Sequence, residues 1–138
     1  MPGEPKAQQR HRDREPVIGK NGRSFTPKYD PSSKDKTDFL IQVRSQAPPT
    51  PMMGPVRVDA TFYFIRPRSH YGTGKNEGVL KESAPVYHTS KPDRDNCDKK
   101  CMDAMSKVFW HDDSQVCAGI LLKLYSDQPR VVLSITEL

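Results

Sequence analysis

The sequence predicts an α+β fold: one domain with a small mixed sheet, packed by two helices and closed by a C-terminal hairpin. Three observations carry this. The chain has 138 residues, room for one hydrophobic core and no second. Residues 55–66, PVRVDATFYFIR, alternate in a period of two, as a strand with one buried face does. Cys97, Cys101, Ala104, Met105 and Val108 step instead by three and four, which draws an apolar stripe along a helix.

The elements follow in chain order. Residues 1–29 form a basic N-terminal segment, and 1–28 alone hold seven Lys/Arg against three acids. Most of the thirteen Pro fall before residue 93 and punctuate that region with loops. Asp30–Arg44 is predicted as a helix, because Pro31 suits a first turn and Phe39, Leu40 and Val43 recur at helical spacing. It stops before Ala47-Pro48-Pro49. The strand of 55–66 puts Val56, Val58, Ala60, Phe62 and Phe64 on one face. Residues 67–92, with Gly72, Gly74 and Gly78 and no periodicity, are predicted as a long loop, and such a loop is usually functional. Asp95 is placed to cap the second helix. Residues 116–125 and 130–138 then read as two strands joined by Ser126-Asp127-Gln128-Pro129 in a four-residue hairpin loop.

Composition bounds the function. With 34% hydrophobic and 28% charged residues, and no window near 18 apolar residues, a membrane-spanning helix is excluded and no membrane partner is expected. The first twenty residues lack an apolar h-region, so no signal peptide is expected. Cys97, Cys101 and Cys117, an odd number at spacings unlike a disulfide framework, read as reduced thiols in a cytoplasmic protein. A zinc site from these Cys with His111 is weighed against core packing, and core packing is the expectation. Trp110 is likewise read as a core anchor at the helix end.

Twenty-two Lys/Arg against seventeen Asp/Glu give a net charge of +5, which leans toward a polyanionic partner. Six of the seventeen acids lie in 93–113, and all six are Asp. Aspartates gathered on a basic protein suggest a metal site presented to a phosphate backbone, or simply a solvated helix between charged loops. Asp93 and Asp95 are hard oxygen donors two residues apart, a spacing that suits Mg²⁺, which takes few protein carboxylates and keeps waters and phosphate oxygens in its other positions. Asp112 or Asp113 supplies a third if the connector folds back. Lys99 lies one turn after Asp95, where an ammonium reaches a metal-held phosphate or forms only an i,i+4 surface pair. Arg10, Arg12, Arg66, Arg68, Lys91 and Arg94 are the candidate phosphate contacts, since duplex affinity rests mainly on phosphate neutralisation. Tyr71 is placed to stack on an unpaired base.

Asp93-Arg94-Asp95-Asn96, Lys99, Asp103-Ala104 and Trp110-His111-Asp112-Asp113-Ser114-Gln115-Val116, followed by Lys123 and VVLSITEL, resemble the RusA family of Holliday-junction resolvases. The match covers about half the chain closely; IRPRSHYGTGKN and Tyr87-His88-Thr89 resemble the family's phage and prophage branch. The resemblance implies a RusA-like fold spanning 1–138 and an Mg²⁺-dependent endonuclease that acts as a homodimer on four-way junctions, in a bacterial or phage-infected cytoplasm. It places the metal carboxylates on Asp93, Asp95 and Asp113, makes Lys99 the basic residue of cleavage, and implies no small-molecule cofactor. Family members begin with a strand leading into Gly-x-Pro, whereas here Gly3-Glu4-Pro5 directly follows the initiator. A nuclease for other branched or flap DNA is the alternative enzyme reading. A non-catalytic DNA-binding protein is the alternative of another class, disfavoured because six Asp without a metal repel a phosphate backbone.

Overall fold

In the computed structural model, which describes residues 22–34 and 36–138, the period-two run becomes the central strand of the sheet. The order along the chain is β1 (Arg23–Phe25), α1 (Thr37–Arg44), β2 (Val56–Ile65), α2 (Arg94–Met105), β3 (Val116–Ala118), β4 (Leu121–Ser126) and β5 (Arg130–Glu137). Val56, Ala60, Phe62 and Phe64 of β2 are buried, as are Val131, Leu133 and Ile135 of β5. Their shared face meets Phe39 and Val43 of α1 and Cys97, Cys101, Ala104 and Met105 of α2 in one core. The α+β class, the mixed sheet and the two helices are as the sequence predicts.

The C-terminal hairpin is not. β4 pairs with β2 in parallel, Ala60 opposite Leu121 through Ile65 opposite Ser126. β5 pairs with β2 antiparallel, Val56 opposite Glu137 through Tyr63 opposite Arg130. The two C-terminal strands thus flank β2, and residues 127–129 step across its end. Ser126 Oγ accepts from the Gln128 N–H at 3.2 Å and from Arg130 Nη1 at 3.0 Å, which ties the step down. A period-two pattern specifies which face is buried, not which strand lies alongside, so a long apolar β2 can take both neighbours.

The strand expected over 116–125 is also interrupted. Gly119 has φ +149°, and a Cβ there would lie 1.8 Å from the Val58 carbonyl oxygen, so only glycine permits this approach. Opposite the break, Asp59 accepts from the Ile120 N–H at 2.9 Å and pairs with Arg57 at 2.8 Å. The first helix starts at Thr37, seven residues after Asp30. The Asp30 carboxylate instead accepts from the Ser32 N–H at 2.9 Å and Ser32 Oγ at 2.6 Å, and the Ser33 N–H closes on the Asp30 carbonyl; this Asx turn competes with helix. β1, which the sequence reading lacks, is three residues long and borrows its order from β5.

The long loop of 67–92 is ordered where it meets the sheet. Tyr125 N–H donates to the Val86 carbonyl and His88 N–H to the Lys123 carbonyl, each at 2.9 Å, so the chain around residue 87 lines the outer edge of β4. No helix among the described residues is long and apolar enough to cross a membrane.

Candidate active site

Asp93, not Asp95, occupies the N-cap position of α2, with extended backbone at φ −69° and ψ 158°. The Asp93 carbonyl accepts the Cys97 N–H at 3.1 Å, while its side chain makes no capping bond. Asp95 follows in the first turn. Both residues are exposed, and neither carboxylate has an ion-pair partner among the described residues. Their oxygens, at the positive end of a helix dipole, are open to a hard cation. One turn below, Cys97 and Cys101 face the core as free, buried thiols, and burial pushes both thiols up. Cys117 is free and exposed rather than packed. Among the described residues no three His, Cys, Asp or Glu side chains gather as a metal group.

Asp113 sits at the opposite end of α2. Trp110, fully buried, follows the helix terminus and donates from Nε1 to Asp113 Oδ1 at 2.7 Å. Its neighbour Asp112 is engaged in a capping box: Oδ1 accepts from the Ser114 N–H at 2.9 Å, and the Asp112 N–H donates to Gln115 Oε1 at 2.6 Å. Those bonds from Ser114 hold the Asp112 carboxyl below its ordinary range. Gln115 Nε2 in turn donates to the Met52 and Gly54 carbonyls at 2.8 and 2.9 Å. Of the Asp pair, Asp113 therefore keeps one oxygen without a partner among the described residues while the other is aimed by a core indole. Among the described residues Asp93, Asp95 and Asp113 of one chain do not gather as a three-carboxylate group.

Lys99 points toward the C-terminal end of α2, where Nζ lies 3.3 Å from Asp103 Oδ2; both side chains are well exposed, at 73% and 63%. The surface pair is thus Lys99–Asp103 rather than Asp95–Lys99. Exposed i,i+4 pairs contribute only about 0.3–0.5 kcal/mol, so this ammonium is readily redirected. Lys100 is structural: Nζ donates to the Tyr29 hydroxyl at 2.9 Å and lies 5.0 Å from the ring centroid.

The candidate phosphate contacts divide. Arg66 is half-buried, its Nη1 donating to the Pro85 carbonyl at 2.7 Å and lying 3.3 Å from His70 Nδ1, with the guanidinium over Tyr125. It braces the long loop against β4. Arg68, Lys91 and Arg94 are exposed and have no ion pair among the described residues. Arg10 and Arg12 lie outside the described residues. Tyr71, half-buried, lines a cavity of about 690 Å³ with Arg68, Gly72 and Lys81.

Two residues that the sequence reading left without a role meet at this site. His88 stacks on Phe64 with ring centroids 3.8 Å apart and turns an edge to Tyr125 at 5.0 Å. Its Nδ1 is buried with no hydrogen-bond partner among the described residues. Beside it, Lys123 Nζ donates to the Ser90 carbonyl at 2.6 Å. A half-buried lysine on a strand otherwise apolar from Leu121 to Tyr125 was the available signal for the second.

Residues 2–136 match the family described as Endodeoxyribonuclease RusA, nearly the whole chain. The chain is also 36% identical over 106 residues to the uncharacterised protein YqaN of Bacillus subtilis (strain 168), covering 76% of this chain and 74% of that one.

Proposed function

Since the chain belongs to the RusA family of endodeoxyribonucleases, we propose that it is an Mg²⁺-dependent homodimer that resolves four-way DNA junctions by paired nicks. The single observation that carries this reading is the pair of exposed carboxylates of Asp93 and Asp95 at the start of α2, unpartnered among the described residues. Oxygen donors without protein partners suit a hard divalent cation, which would supply charge neutralisation at the scissile phosphate and a more acidic attacking water. Asp113, with one oxygen aimed by Trp110, is the third carboxylate.

Within one chain the three carboxylates do not gather as a group among the described residues, and this supports a dimer in which Asp93 and Asp95 of one copy are joined by Asp113 of the other. Two-fold symmetry then gives two equivalent sites, as opposed nicks in a symmetric junction require. Lys99, released from Asp103, stabilises charge on the departing oxygen. Arg68, Lys91 and Arg94 neutralise phosphates around the cut, with Arg10 and Arg12 of the basic N-terminal segment extending the footprint. The Trp110 N–H keeps the Asp113 carboxylate oriented.

The test is nicking of a synthetic four-way junction in Mg²⁺ against a linear duplex of the same sequence. Symmetric nicks confined to the junction support the reading. Equal cleavage of the duplex, preference for a flap substrate, or binding without cleavage would each refute it.

A further inference from the structure

Resting on the reading of Asp93 and Asp95 as the carboxylate pair of a nuclease, we propose that Lys123 is the positioning residue for that pair: its ammonium holds the Ser90 carbonyl and thereby sets the Ser90–Pro92 run that delivers both aspartates to α2.

The geometry singles out this lysine. Lys123 lies on β4 opposite Phe62 of β2, which pairs on its other side with Val131 of β5. Its backbone carbonyl accepts the His88 N–H at 2.9 Å, and its Nζ donates to the Ser90 carbonyl at 2.6 Å. One residue thus pins the chain at His88 and at Ser90, the second point three residues before Asp93. The same Nζ lies 5.8 Å from the centroid of Phe64, the ring that His88 stacks upon. It has no carboxylate partner among the described residues. The two lysines on α2 itself are directed elsewhere, Lys99 to Asp103 and Lys100 to Tyr29.

The test compares Lys123→Met, which keeps the aliphatic stem, with Lys123→Arg, which keeps the donor and the charge. Amide hydrogen exchange is measured on the protein without DNA, and nicking of a four-way junction on the same samples. In Lys123→Met, exchange across residues 88–96 should rise by about tenfold or more while the rest of the sheet is unchanged. Nicking should fall by roughly a hundredfold, because a small misplacement of reacting groups is that costly. Lys123→Arg should restore both. Unchanged exchange at 88–96 in Lys123→Met would overturn the proposal, as would acceleration across the whole chain or an arginine variant that behaves like methionine. If the wild type nicks no junction, the nuclease reading fails, while the exchange data still decide the positioning role.

Discussion

The Trp110 indole donates to Asp113 at 2.7 Å, so a fully buried core residue holds an exposed carboxylate at the end of α2. Trp110→Phe keeps an aromatic ring in the core but removes that donor. A cavity of a few atoms costs about 1–3 kcal/mol, which shows as a lowered Tm. Cleavage should fall further than the Tm accounts for, with four-way junction binding retained. A loss of nicking strictly in step with the loss of folded protein would make Trp110 a packing residue alone.

Asp95→Asn removes a negative charge from a basic surface at little steric cost. Junction binding should hold or tighten, and Mg²⁺-dependent nicking should be abolished. Near wild-type nicking would remove Asp95 from the site.

Asp95→Asn and Asp113→Asn, each inactive alone, should complement when mixed as subunits. In a site shared between chains, one of the two sites in the mixed dimer has all three carboxylates, so single-strand nicking returns. If each site lay within one chain, the mixture would stay silent. The measurement is nicking of a labelled junction after co-refolding the two variants.

Lys99→Ala should leave the Tm nearly unchanged, because its pair with Asp103 is exposed and alanine favours helix. Nicking should drop by orders of magnitude. Lys100→Ala is the contrasting case: it breaks the hydrogen bond to Tyr29 and the contact with its ring, costing about 1 kcal/mol, with activity per folded molecule preserved. Equal loss of activity at both positions would reduce the role of Lys99 to general electrostatics.

Acidification should destabilise the fold below about pH 6.5, the ordinary histidine pKa. His88 is held below that value first by burial and then by Lys123. His70 is lowered too, by burial and then by Arg66 and Lys81. The unfolded chain then binds more protons than the native one in this range, so stability rises with pH up to the unfolded pKa and is lost as pH falls toward the folded value. His88→Phe, which preserves the stack on Phe64, should flatten the Tm profile between pH 8 and 5.5. A Tm that climbs on acidification would contradict this.

The sequence by itself determined everything that depends on local period and residue type. The alternation of β2 named its buried face, the three-and-four steps of α2 placed Cys97 and Cys101 in the core, and the Asp93-x-Asp95 run identified a carboxylate pair at a helix start. Only the tertiary structure decided what depends on contacts far apart in the chain. It put β2 between β4 and β5 where turn residues suggest a hairpin, because pattern carries no information about a strand's neighbour. It moved the start of α1 from Asp30 to Thr37, since the Asp30 carboxylate had a nearer partner in Ser32. It separated Asp112, tied into its own capping box, from Asp113, aimed by Trp110. And it set Lys123 against the Ser90 carbonyl across 33 residues of sequence, a relation that comes into being only when β4 pairs in parallel with β2 and the long loop closes along its outer edge.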